Sequence, residues 1–188
     1  MRKLLVCVLA MLMIMMCGCE EGYSTKELTP NKQISADILH FKDMVEECNR
    51  YAASLDPKLF LGDITIGFMD TSCETYEITF WYSKFISDNK VKTVVMDYDS
   101  KTRSITYVEI SEGSSKALAP SEYSINTAEC DTNFIADLKA VQESMDKKNI
   151  DSFEKIVCNY SGRYRLYRIF YGNSDLDEAD TYEMDIYG

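Results

Sequence analysis

What most constrains this chain is a change of hydrophobic period that occurs twice. From residue 34 the apolar side chains Ile34, Ile38, Phe41, Val45, Cys48, Ala52 and Leu55 fall at alternating steps of four and three. Such spacing gathers them on one face of an α-helix. The period then drops to two. Ile64, Ile66 and Phe68 alternate with Thr65 and Gly67, followed by Tyr76, Ile78, Phe80 and Tyr82, then by Val94, Met96 and Tyr98, and 104–110 is a further β-branched run. Alternation of this kind describes strands with one dry face and one wet face. A second helical stretch carries Phe134, Leu138, Val141 and Met145. A second alternation then runs through Ile156, Cys158 and Tyr160, residues 164–171, and Tyr182, Met184 and Ile186. N-caps are expected at Ser35 or Asp37 and at Asp131 or Thr132, while Asp56-Pro57 ends the first helix. Segments 70–74, 84–90 and 99–103 read as hairpin loops.

The pattern predicts an α+β fold of two helix-plus-antiparallel-sheet repeats, with the helices packed on one face of the sheet. The first module covers 34–111 and the second 131–188. Residues 112–130 are small and polar and read as a connector, and residues 19–33 lack periodicity and read as a flexible tether. A constant offset of 88 carries Tyr76 to Tyr164, Ile78 to Leu166, Met96 to Met184 and Asp97 to Asp185, the trace expected of a duplication.

The start of the chain reads as an address. Arg2 and Lys3 precede an apolar run over 4–16, and Glu20 and Glu21 follow closely. A helix over 4–16 at about 1.5 Å per residue reaches about 20 Å, short of a hydrocarbon core of about 30 Å. A secretory signal over 1–18 fits better than a membrane span. Met16-Cys17-Gly18-Cys19 resembles the bacterial lipobox, matching it at Gly18 and Cys19 and departing from its commoner forms at Met16 and Cys17. The resemblance implies a lipoprotein whose Cys19 thiol takes a diacylglyceryl group and becomes the mature N-terminus. Two acyl chains suffice for stable anchoring. The expected place is the extracytoplasmic side of the cell membrane, with the membrane itself a partner through the lipid anchor.

Charge narrows the partners. The chain has 20 Lys+Arg against 31 Asp+Glu, a net charge of −11, and loss of the signal removes Arg2 and Lys3. Nucleic acid is therefore not expected as a partner. A single histidine excludes sites that need two imidazoles. His40 lies off the apolar stripe and reads as a surface residue. Ser-x-x-Lys occurs at Ser144–Lys147 and Ser152–Lys155 without a following Lys-Thr-Gly, so it reads as chance. Asn173, Asp175, Asp177 and Asp180 offer oxygens, but Glu178 and Met184 stand where an EF-hand needs Gly and Glu. No metal, cofactor or catalytic residue is assigned. Cys48, Cys73, Cys130 and Cys158 are the candidate disulfide cysteines of an exported chain, with small buried thiols as the alternative.

Aromatic and arginine side chains crowd two strand segments. Trp81 and Tyr82 lie in one, and Arg163, Arg165 and Tyr167 in the other. These five are the candidate ligand-binding residues, because Trp, Tyr and Arg dominate protein-binding hot spots. Alternation puts Trp81 opposite Tyr76, Ile78, Phe80 and Tyr82, hence in solvent if those four face a helix. VVMDYDSKTRSITYVE (94–109) resembles the strand, Asp-containing turn and strand that close a PepSY module, with Thr102-Arg103 where that family places Gly. The order of elements is similar to tandem PepSY-like and β-lactamase-inhibitor-protein-like modules. That resemblance implies the architecture and assigns no functional residue. The resulting expectation is a lipid-anchored, non-catalytic module binding a protein, peptide or glycan. A small hydrolase using Asp/Glu pairs, and an inhibitor or regulator of a secreted or envelope protein, are the alternatives.

Overall fold

The computed structural model describes residues 24–114, 124–161, 164–171 and 180–187. The strands are β1 (Ser24–Leu28), β2 (Lys32–Gln33), β3 (Phe60–Phe68), β4 (Tyr76–Ser87), β5 (Lys90–Asp99), β6 (Ser104–Ser114), β7 (Lys155–Ser161), β8 (Tyr164–Tyr171) and β9 (Asp180–Tyr187). Helix α1 (Phe41–Leu55) precedes β3, and helix α2 (Phe134–Lys147) precedes β7. A 3-10 turn leads toward each helix, at Ile38–His40 and Thr127–Glu129. The strands join one antiparallel sheet in the order β1-β6-β5-β4-β3-β7-β8-β9, with β2 also pairing β6. The fold is thus α+β, a large antiparallel sheet with two helices.

The alternation read from the sequence becomes a set of rows across the sheet. Register pairs Tyr98 with Ile78, Ile78 with Ile66, Ile66 with Cys158, and Cys158 with Tyr167. All five are 1% exposed or less. The apolar stripes of both helices join the same buried cluster as these rows. The Phe41 ring of α1 meets Phe134 of α2 edge-on at 4.9 Å and Tyr160 of β7 at 5.2 Å. Phe134 in turn lies 5.8 Å from Phe68 of β3. Burying one such ring contributes roughly 2 kcal/mol, and edge-to-face contact adds somewhat more.

The structure corrects several expectations. Residues 24–33 are not a tether: β1 and β2 pair with β6. Their sequence showed no period because nearly every residue of this sheet edge is exposed on both faces. Helix α1 starts at Phe41 rather than near Ile34. Ile34 is buried from the non-helical entry segment and Ile38 from the 3-10 turn, at a spacing that imitates a helical turn, and the Asp37 carboxylate accepts from the Leu39 N–H at 3.1 Å to cap the 3-10 turn. Asn133, one residue beyond the expected caps, caps α2 by accepting from the Ala136 N–H at 3.1 Å. Thr132 instead reaches the Tyr160 hydroxyl at 3.3 Å. Part of the connector is structured, since the buried Ile125 donates its N–H to the Leu61 carbonyl at 2.8 Å.

The offset of 88 preserves faces in only two of its four pairs. Tyr76 and Ile78 are buried, whereas Tyr164 and Leu166 alternate with the buried Arg165, Tyr167 and Ile169 and so face the other way. Met96 and Met184 both keep the core side, and Asp97 and Asp185 both keep the open side. The signal segment 1–18, Cys19 and the oxygen-bearing positions Asn173, Asp175 and Asp177 lie outside the described residues. Among the described residues, no helix is long and apolar enough to cross a membrane.

Candidate binding face of the sheet

Residues that alternate with the core rows form the sheet's open face. Two rows of it run through the middle strands. Thr65 pairs with Thr79 and with Asn159, and Asn159 pairs with Leu166. Asp63 pairs with Trp81, and Trp81 with Val95. A β-bulge between Leu61 and Asp63 lies just beyond this second row. Asp63 keeps the outward parity of Thr65, one step from the buried Ile64, and the extra residue Gly62 lets Leu61 point into the core as well.

A groove of about 470 Å³ lies on this face, lined by Asp63, Thr65, Trp81, Asn159, Ser161, Tyr164, Leu166 and Arg168, with Ile64 and Tyr160 at its floor. Trp81 is 42% exposed, as parity predicts, while its chain neighbours Phe80 and Tyr82 are fully buried. Polar bonds hold the walls. Arg168 donates from Nε to Glu183 at 2.6 Å and from Nη1 to Asn159 at 3.3 Å. The Tyr164 hydroxyl donates to Asp185 at 2.8 Å, and Thr79 donates to Asp97 at 2.8 Å. Asp63 is the one carboxylate of the lining, and crowding by the protein raises its pKa above the ordinary aspartate value. The pair of convergent carboxylates required by the hydrolase alternative is not met among the described lining residues.

The five candidate ligand residues separate by parity. Trp81 alone is described on the open face, and Arg163 lies outside the described residues. Tyr82 is buried and donates its hydroxyl to Asn49 of α1 at 2.8 Å. Arg165 is buried and donates from Nε to Asp137 of α2 at 2.6 Å. Tyr167 is buried and donates to the same Asp137 oxygen at 2.8 Å. Burial, with Asp137 beside it, pushes the Tyr167 hydroxyl far above its ordinary pKa. These three side chains join helix to sheet instead of facing solvent. Sequence reasoning missed Asp63, Asn159, Tyr164 and Arg168. Parity was the available signal, since Arg168 stands an odd step from Arg165 and must face the other way.

The remaining candidates resolve plainly. Cys48, Cys73, Cys130 and Cys158 are buried free thiols. Burial pushes Cys73 and Cys130 up to about 11 and Cys158 up to about 12, so none is an activated nucleophile. The exposed His40 ring shares a hydrogen bond with the Asp37 carboxylate at 3.1 Å. Ser144 shares a hydrogen bond with the Tyr182 hydroxyl at 2.9 Å.

No protein-family model and no curated protein matches the chain. Among solved structures it is similar to an acyl-ACP thioesterase from Bacteroides thetaiotaomicron, at 8% identity, 88% of this chain, 98% of that one and a TM-score of 0.23. A putative oleoyl thioesterase from Lactobacillus plantarum follows, at 7% identity, 90% of this chain, 93% of that one and a TM-score of 0.27. The 12:0-ACP thioesterase of Umbellularia californica is similar at 8% identity, 87% of this chain, 88% of that one and a TM-score of 0.23. The expectation that the protein is no enzyme is withdrawn on this finding, because these neighbours are enzymes. At such TM-scores neither a fold nor a substrate nor a reaction passes from them to this chain.

Proposed function

We propose that the protein is an exported lipoprotein, anchored through acylated Cys19 on the extracytoplasmic side of the cell membrane, that binds a protein, peptide or glycan at the groove beside Trp81. The observation that carries this reading is the exposure of Trp81. A large indole left 42% exposed mid-strand, on the wall of a groove, is the kind of side chain that anchors a partner. Its neighbours in β4 are packed away, so the exposure is local to this face.

We also infer that the halves are divergent repeats whose helices cover the same face of the sheet and leave the other free. The buried positions Phe41, Val45, Cys48 and Ala52 fall in register with Phe134, Leu138, Val141 and Met145. The contact of Phe41 with Phe134, beside the antiparallel pairing of β3 with β7, fits a two-fold relation between the halves.

Two experiments test the functional reading. Growth of the native host with labelled palmitate should label the protein, and Cys19→Ser should abolish the label; persistent labelling of the variant refutes the anchor. A peptide library and a glycan array should yield ligands of the parent that Trp81→Ala releases. Unchanged retention by that variant refutes the groove.

A further inference from the structure

We infer that the open face takes a cationic, extended polypeptide, with a Lys or Arg side chain seated between the Trp81 ring and the Asp63 carboxylate. The inference rests on the reading of this face as a binding surface and adds the chemistry of its ligand.

Geometry comes first. Asp63 and Trp81 are direct cross-strand partners, which puts their Cβ atoms about 5 Å apart on one face. A cation resting there meets an indole face and a carboxylate together, so cation–π attraction and an ion pair act on one group. Next comes what each charge already holds. Among the described residues Asp63 makes no hydrogen bond or ion pair. The cation lining the same groove, Arg168, is held by Glu183 and Asn159. An incoming cation therefore finds an acceptor and meets a positive charge that is already compensated.

The surroundings point the same way. The open face carries Glu77, Asp97, Glu109 and Asp185 besides Asp63 and Glu183, against Lys155 and Arg168. With a net charge of −11 on the whole chain, the field at this face draws basic partners and repels anionic glycans and nucleic acid. The groove spans β4, β3, β7 and β8 and lies open along the sheet. A surface of this shape suits a strand-like segment, whose same-side residues recur about every 7 Å, better than an enclosed small amine.

Trp81 is the sole tryptophan of the chain, so its emission reports the site directly. The experiment uses the full chain in detergent micelles, titrated with dodecapeptides that alternate Ser with Lys, Gln or Glu. The Lys peptide should shift the emission to saturation and bind roughly ten-fold more weakly when salt rises from about 50 to about 500 mM. The Gln and Glu peptides should be silent. Asp63→Asn, an exposed and conservative change, should weaken the Lys peptide about five-fold. Equal binding of the Gln or Glu peptide, or unchanged affinity in Asp63→Asn, overturns the cationic ligand while the face remains a binding surface. Silence of all three peptides likewise overturns the cationic ligand, and oligosaccharide ligands released by Trp81→Ala would then keep the face alone. Anisotropy of a labelled Lys peptide that binds Trp81→Ala as tightly as the parent overturns both readings.

Discussion

Asp137 bonds helix α2 to strand β8, and its removal gives a sharp test of how the sheet keeps its second helix. One carboxylate oxygen accepts from Arg165 Nε at 2.6 Å and from the Tyr167 hydroxyl at 2.8 Å. The side chains of Arg165 and Asp137 are only 9% and 10% exposed. Truncation to Asp137→Ala leaves a guanidinium without its carboxylate in a largely dry place, and a phenol without its acceptor. Breaking one side of a buried ion pair costs about 3–5 kcal/mol. Arg165 keeps further contacts, which favours the lower end, about 3 kcal/mol. For a chain of this size each kcal/mol moves the melting temperature by roughly 2–4 °C, so a fall of about 6–12 °C is expected. Circular dichroism melts and urea titrations at neutral pH measure it. The double variant Asp137→Leu, Arg165→Met removes both charges and should lose less than the single variant, because no lone charge remains buried. A single-variant loss below about 1 kcal/mol, or a double variant worse than the single, refutes the clamp.

Three further expectations test other parts of the fold. Asp56, which closes α1, accepts from Lys84 at 2.9 Å and Lys92 at 3.2 Å, and these bonds hold its carboxyl well below the usual range. Because its folded pKa is depressed, the stabilisation is present above the unfolded value of about 4 and fades as pH falls toward the folded value. The gap in urea midpoint between parent and Asp56→Asn should therefore be wide at pH 7 and shrink below pH 4; a constant gap refutes the assignment. Trp81→Ala should cost less than about 1 kcal/mol, whereas Tyr82→Ala, one residue on but fully buried, should cost about 3–5 kcal/mol by urea denaturation, and equal costs would show that parity misplaces the faces. Cys73, Cys130 and Cys158, buried and with raised pKa values, should resist iodoacetamide at pH 8 in native buffer and react fully in urea without reductant, as mass spectrometry would show; protection that persists in urea until reductant is added would mean they are bridged.

The sequence made the interior legible and the edges illegible, for one physical reason. Period is visible only where one face is dry. The rows through Ile66, Ile78 and Tyr98 are buried on one side, so their alternation survives in the letters. Strand β1 is exposed on nearly every residue, so nothing in Ser24–Leu28 distinguishes it from a tether until β6 lies beside it. Ile34 failed in the opposite sense, since a non-helical entry segment and a 3-10 turn bury Ile34 and Ile38 at helical spacing ahead of the α-helix. A constant offset could not capture the relation between the halves either, because each loop between strands resets the alternation, so residues of like type 88 apart lie on opposite faces in β4 and β8 and on the same faces in β5 and β9.

The same reasoning separates the two uses of the aromatic and arginine residues. As a composition they looked like one displayed patch, yet parity divides them. Tyr82, Arg165 and Tyr167 carry polar tips that reach into the helices, where Asn49 and Asp137 wait for them; a polar head on a buried body is tolerated only with such a partner. Trp81 and Arg168 stand on the other parity, where solvent satisfies what the protein does not. Asp63 joins them by the same alternation, one step from the buried Ile64, while the bulge at Gly62 lets Leu61 return to the core out of step. Deleting Gly62 would make Leu61 and Asp63 adjacent, and alternation would then hold Leu61 inward and Asp63 beside Trp81, so the groove should keep its carboxylate. The candidate site thus follows from the rule that built the core, and only the entry of β3 departs from it.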